Sequence, residues 1–245
     1  MFRYIIAIAF VVLFLILTSP MLLVLGIIGL FDRKAKDRIS MKMIQFAFRT
    51  VLFLTGTKVT VIGEENIPTD RSVLFVGNHR SIFDTLITYS LMKTPTGFIS
   101  KKEMGMIPVF RWWMRNIRCL FLDRDDIKQG MQTILTAIEM IKEGINVFIF
   151  PAGTRSKTEG EFPAFKGGSF KVATKSGCDV VPVSLHYFGD VFEDNKPKVK
   201  PVEVIVRFGE PIATKDLPRE VLKDIPAKAY DDVVRMYNEN KALID

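Results

Sequence analysis

The chain opens on an uninterrupted apolar stretch. Residues 4–31, YIIAIAFVVLFLILTSPMLLVLGIIGLF, carry no charge. A straight helix of that length would reach roughly 42 Å at 1.5 Å per residue, beyond the ~30 Å hydrocarbon core of a bilayer. Ser19-Pro20 divides the stretch into two shorter arms. Two arrangements fit: a kinked or tilted spanning helix, or a helical hairpin whose arms dip into one leaflet. The apolar core is long for a cleaved signal peptide and lacks a clear small-residue cleavage site. Arg33, Lys34, Lys36 and Arg38 follow at once. By the positive-inside rule they place the remainder on the cytoplasmic face of the cell membrane.

Residues 38–56, RISMKMIQFAFRTVLFLTG, predict an amphipathic helix closed by Gly56. Ile44, Phe48, Val51 and Leu52 recur at helical spacing. Lys42 and Arg49 are then available to lipid headgroups, or the helix packs on a globular core.

From residue 58 short apolar runs alternate with helical stretches. KVTVIG, SVLFVGN, TGFISKKE, CLFLDR, INVFIFP, DVVPVSL and VEVIVRFG read as strands. DTLITYSLMK, VFRWWMRN and residues 126–143, capped by Gly144, read as helices between them. The alternation predicts an α/β domain at 58–245 with a mostly buried sheet flanked by helices, preceded by a membrane-embedding segment at 1–57. The charged C-terminus reads as a solvated helix.

Composition narrows the picture. Apolar residues make up 48% of the 245-residue chain and there are 20 phenylalanines, so a packed core is expected. A net charge of +7 points to an anionic partner: nucleic acid, a phosphorylated small molecule or acidic lipid. No recognition motif accompanies the charge, which disfavours nucleic acid. Cys119 and Cys178 stand far apart with no CxxC or His-rich companion, so neither a zinc site nor a disulfide scaffold is expected.

One of only two histidines lies in GNHRSIFD, residues 77–84, where a strand gives way to a helix. In α/β sheets sites gather at the carboxyl ends of strands. Ser81 and Asp84 have the spacing of a capping box, with Asp in place of the usual Glu or Gln. A helix starting at Ser81 leans the Asp84 side chain back toward His79. Asp84 is then a helix cap beside a loop histidine, or the partner that fixes one imidazole nitrogen so that the other can take a proton. His186, at the end of DVVPVSL, has no motif around it and reads as structural.

NHRSIFD at 78–84 and FPAGTRS at 150–156, taken in order, resemble the glycerolipid acyltransferases, more narrowly the 1-acylglycerol-3-phosphate (lysophosphatidate) acyltransferases. KKEMGMIPVFRWWM and CLFLDRDD match the family's second region, with Lys101, Glu103, Pro108 and Arg124 at its landmarks, and FKGGSFKVA and VVPVSL fit the segments that follow. The resemblance spans roughly 58–215 and implies a single acyltransferase-type α/β domain with a mixed sheet. It further implies acyl transfer to the sn-2 hydroxyl of lysophosphatidic acid, giving phosphatidic acid, or on the same scaffold acylation of glycerol 3-phosphate or another lysophospholipid. The donor would be a coenzyme A or acyl carrier protein thioester, with no metal or other cofactor implied. His79 would be the general base and Asp84 its orienting partner. Lys101, Arg124, Gly153, Thr154 and Arg155 would hold substrate, with Arg155 offering a planar fork to phosphate.

The chain departs from the family pattern at Ala152, where the family has glutamate. That carboxylate is expected to bond an acceptor hydroxyl or to position Arg155, and alanine does neither. Natural divergence with another group taking over is one account. A loss-of-function substitution, leaving a lipid-binding form, is the other. RWWMR at 111–115 suits a membrane interface or a buried tryptophan with exposed arginines, and FKGG at 165–168 a phosphate-receiving helix start or a glycine turn.

Overall fold

The computed structural model describes residues 1–243. Its strands are β1 (Lys58–Ile62), β2 (Leu74–Gly77), β3 (Thr96–Lys101), β4 (Leu120–Leu122), β5 (Asn146–Ile149), β6 (Val180–His186) and β7 (Glu203–Phe208). They form one sheet in the order β1-β7-β6-β2-β5-β3-β4. Every pairing is parallel except β6 with β7, so the sheet is mixed and flanked by helices, as the sequence predicts.

Alternation along the central strands explains the two cores. In β2, Leu74 and Val76 face one side and Phe75 the other; in β5, Val147 and Ile149 oppose Phe148. The first side is covered by α6 (Ile127–Lys142), α7 (Lys171–Ser176) and α9 (Arg219–Lys241). The second is covered by α3 (Arg33–Thr55), α4 (Phe83–Leu91) and α5 (Pro108–Asn116), where Phe75, Phe98 and Phe148 stack. Each such buried side chain contributes roughly 1.5–3 kcal/mol.

The apolar N-terminus forms α1 (Phe2–Thr18) and α2 (Met21–Phe31), broken at Ser19-Pro20 and bent by 55°. Among the described residues no single helix is long and apolar enough to cross a membrane, although the bent pair meets the requirement together. Leu17, Leu23, Leu30 and Phe31 are exposed on it. α1 is fastened to the rest of the chain by Phe14 against Trp113 (ring centroids 5.9 Å) and Tyr4 stacked on Phe192 (5.5 Å).

Three elements differ from expectation. α3 begins earlier than residue 38, because the Asp32 carboxylate accepts from Ala35 N and caps it (2.9 Å). It ends as predicted at Gly56, whose φ of +75° is the left-handed conformation glycine adopts freely. One face buries Ile44, Val51 and Leu52, while Phe46 and Phe53 stay exposed, so a core face and an outer apolar face coexist. The C-terminal helix α9 is not simply solvated: Ile225, Ala229, Val233 and Met236 recur at helical spacing and are buried over the sheet. The tryptophans divide, Trp113 in the core and Trp112 half exposed.

Candidate active site

β2 and β5 are neighbours and parallel, so both sequence motifs emerge side by side from their carboxyl ends. The first motif turns into α4 through a capping arrangement. Ser81 Oγ accepts from Phe83 N (3.0 Å), and Asp84 Oδ2 accepts from Ser81 N (2.9 Å) and Arg80 N (2.6 Å). The same oxygen lies 2.6 Å from His79 Nδ1. The two readings of Asp84 are therefore one geometry: the helix cap is what aims the carboxylate at the imidazole. Asp84 is fully buried, and the His79 side chain retains 16% exposure.

The second motif locks onto the first. Phe150 stacks on His79, ring centroids 4.1 Å apart and 11° from parallel. Ser156 N donates to His79 O (2.8 Å), and Arg80 Nη1 reaches Ser156 O (3.4 Å). Pro151 O accepts from Lys166 N (3.1 Å), closing the loop on itself. Gly153 has φ +79°, a conformation a side chain would strain. A Cβ there would sit 3.4 Å from Lys166 Nζ and 4.0 Å from the Arg124 guanidinium carbon. Two cations thus converge on the glycine, and neither forms an ion pair among the described residues.

The remaining sequence candidates are placed less tightly. Lys101 ends β3, one strand beyond β5, at the same edge of the sheet, and is exposed. Thr154 and Arg155 are exposed on the loop, whereas Ala152 is buried. FKGG forms a short 3₁₀ turn, Gly167–Phe170, rather than the start of a long helix. His186 is buried at the end of β6, stacked on Tyr237 (4.1 Å).

Several neighbours carried no sequence signal. The 3₁₀ turn Glu193–Asn195 follows α8 (Phe188–Val191) and presents two carboxylates to the first motif. Glu193 accepts from Ser81 Oγ and from Ile82 N (2.9 Å) and meets Arg155 Nη1 at 3.4 Å. Asp194 pairs with Arg80 Nη2. Phe150 lay inside a recognised motif but gave no hint of facing a histidine ring. Behind Arg80, burial holds the Glu159 carboxyl above its usual range, against the opposing pull of hydrogen bonds from Tyr237 Oη (2.6 Å) and Tyr187 N (3.0 Å).

Chemically, the site offers a partly exposed imidazole pinned through one nitrogen, with Lys101, Arg124, Arg155 and Lys166 exposed on the adjoining segments. That set suits proton removal from a hydroxyl on a phosphorylated molecule.

The Acyltransferase family model matches residues 58–186, just over half of the chain. A 1-acyl-sn-glycerol-3-phosphate acyltransferase of Borreliella burgdorferi is 32% identical over 158 residues, covering 64% of this chain and 63% of that protein. A chloroplastic 1-acyl-sn-glycerol-3-phosphate acyltransferase of Arabidopsis thaliana is 38% identical over 135 residues, 55% of this chain and 37% of that protein. The matched stretches thus span less than two thirds of these curated relatives. The crystal structure of the 1-acyl-sn-glycerophosphate (LPA) acyltransferase PlsC from Thermotoga maritima superposes with a TM-score of 0.74 at 27% identity, covering 98% of each chain.

Proposed function

The chain belongs to the acyltransferase family, and from that premise we propose that it moves a fatty acyl group from a thioester donor to the sn-2 hydroxyl of lysophosphatidic acid, forming phosphatidic acid. The observation that carries the reading is the 2.6 Å contact between His79 Nδ1 and Asp84 Oδ2. With Nδ1–H donated to Asp84, the Nε2 lone pair faces outward and acts as general base. It takes the acceptor hydroxyl proton as the alkoxide oxygen bonds to the thioester carbonyl carbon. The tetrahedral intermediate collapses by breaking the C–S bond, and the imidazolium returns the proton to the departing thiolate. Asp84 stabilises the imidazolium meanwhile, so no serine nucleophile is required.

Arg155, with Arg124 and Lys101, holds phosphate groups of the acceptor or of the donor, which is coenzyme A or acyl carrier protein. The exposed apolar face of α1 and α2 embeds in one leaflet, followed by Arg33, Lys34, Lys36 and Arg38 at the headgroups of the cytoplasmic face. Residues 1–57 then form the membrane-embedding segment and 58–245 the acyltransferase domain.

A second reading follows from Ala152: a form that binds lysophospholipid with catalysis impaired. Purified protein is assayed with labelled acyl-CoA and with acyl carrier protein thioester against lysophosphatidic acid, glycerol 3-phosphate and other lysophospholipids. Phosphatidic acid formation supports the main reading. Preferred acylation of a different acceptor replaces the substrate, and binding without any product leaves the impaired form.

A further inference from the structure

We propose that Glu193 is a positioning residue which has taken over the holding of Arg155, the service a carboxylate at position 152 would otherwise supply. The inference rests on the acyl-transfer reading only for the identity of the phosphate-bearing ligand.

Three observations carry it. First, the Glu193 side chain is 8% exposed, although its turn lies on the surface. A charge so withdrawn from water needs several donors to compensate it. It has them in Ser81 Oγ, Ile82 N and Arg155 Nη1, which belong to two different motifs. Second, the two oxygens divide the work. Oε2 takes the Ser81 hydroxyl, while Oε1 takes Ile82 N and faces Arg155. The carboxylate is therefore fixed by the helix start of the dyad before it touches the arginine. Third, Glu193 is the sole hydrogen-bond partner of the Arg155 side chain among the described residues. One guanidinium nitrogen is anchored and the rest of the five-donor fork remains open to an anion.

Ala152 is buried and ends in a methyl group. A motif that has lost its internal carboxylate would leave Arg155 loose on an exposed loop. Glu193 instead ties the arginine to the same helix start that aims Asp84 at His79. Phosphate binding and proton removal are thereby set in one frame. The adjacent Asp194–Arg80 pair and the Tyr4–Phe192 stack hold the turn in place.

The test is a double-mutant cycle of Glu193→Gln and Arg155→Gln. The glutamine oxygen still accepts from Ile82 N, its amide nitrogen donates to the Ser81 hydroxyl instead of accepting from it, and the charge facing Arg155 is gone. Two quantities are read: affinity for lysophosphatidic acid in mixed micelles by calorimetry, and kcat and KM for acyl transfer. Glu193→Gln is expected to weaken affinity and raise KM about fivefold, the range of a half-exposed ion pair, with kcat nearly unchanged. In the Arg155→Gln background, and also beside Ala152→Glu, the same change costs less than about twofold, because the coupling partner is gone or replaced. An unchanged or tighter affinity overturns the proposal, as does an equal loss in every background, which marks a purely structural role. A parent chain that binds lysophosphatidic acid yet transfers no acyl group defeats the functional reading while the affinity cycle still decides Glu193. A parent that does not bind it defeats both.

Discussion

His79 and Phe150 lie face to face, 4.1 Å between ring centroids, and this stack is where two motifs seventy residues apart become one site. The phenyl ring shields one face of the imidazole from water and limits its rotation about the bond to Asp84. An aromatic pair of this kind contributes roughly 0.5–1.5 kcal/mol beyond its area. Phe150→Leu preserves most of the volume and loses the stack. It is expected to lower kcat about 3- to 10-fold with little change in KM. A variant with normal kcat would show that Asp84 alone orients the ring.

His79→Ala should reduce turnover by roughly 10²–10⁴-fold, the usual worth of a positioned base, while the thermal midpoint stays near the parent's. Asp84→Ala is different in kind. It removes the acceptor for Arg80 N and Ser81 N as well as for His79, leaving two buried donors unpaired at a total cost of about 2–6 kcal/mol. Activity and stability should fall together in this variant. A stable but inactive Asp84→Ala protein would refute the joint role assigned to Oδ2.

Most of this arrangement was legible because it is local or periodic. The Ser81–Asp84 spacing foretold both the helix start and the approach to His79, since a helix cap is built from neighbours in sequence. Each predicted strand from KVTVIG to VEVIVRFG is present, because the central strands, buried on both faces, leave continuous apolar runs, while the edge strand KVTVIG alternates. What escaped is long-range or masked. Glu193 and Asp194 reach Ser81 and Arg80 from more than a hundred residues away, on a turn too short to have a period. The buried stripe of α9 was hidden among lysines and acids, whose charge dominated the reading of a helix that buries only one face. RWWMR left two placements open because adjacent residues on a helix point about 100° apart; Trp113 lies in the core, and Trp112 is half exposed.

Burial raises the Glu159 carboxyl above its ordinary 4.5, so the folded protein holds that proton more tightly than the unfolded chain. The favourable contribution is present below the unfolded value and is lost as pH rises through the raised folded value. Glu159→Gln keeps an oxygen to accept from Tyr237 and Tyr187 and has no charge to bury. Relative to the parent, its thermal midpoint should therefore climb as pH rises above the unfolded value. Unfolding curves at four or five pH values test this, and a difference that does not vary with pH would contradict it.

Ala152→Glu is expected to raise acyl transfer. With Arg155 already held by Glu193, the restored carboxylate contributes chiefly by bonding an acceptor hydroxyl. One charge-assisted hydrogen bond of ~1.5–3 kcal/mol corresponds to roughly 10-fold or more. The parent and the variant are compared at saturating donor. Equal rates would mean that the methyl group at 152 leaves no function unfilled.

The N-terminal helices supply the last prediction. Leu17 and Phe31 are 68% and 87% exposed, on either side of the bend between α1 and α2. If this face enters a leaflet, each side chain gains roughly 1.5–3 kcal/mol by leaving water. Replacing both with aspartate removes that gain and adds the cost of a carboxylate at the acyl boundary. Vesicle partitioning should fall by at least about 100-fold, while turnover of a short-chain, water-soluble acceptor is preserved because both side chains are exposed and outside the core that supports the site. Flotation with anionic and neutral vesicles separates the contributions. Loss of binding to both through the aspartates would locate the apolar anchor, and salt-sensitive residual binding to anionic vesicles would report Arg33, Lys34, Lys36 and Arg38. Unaltered flotation of the double variant would remove α1 and α2 from the membrane.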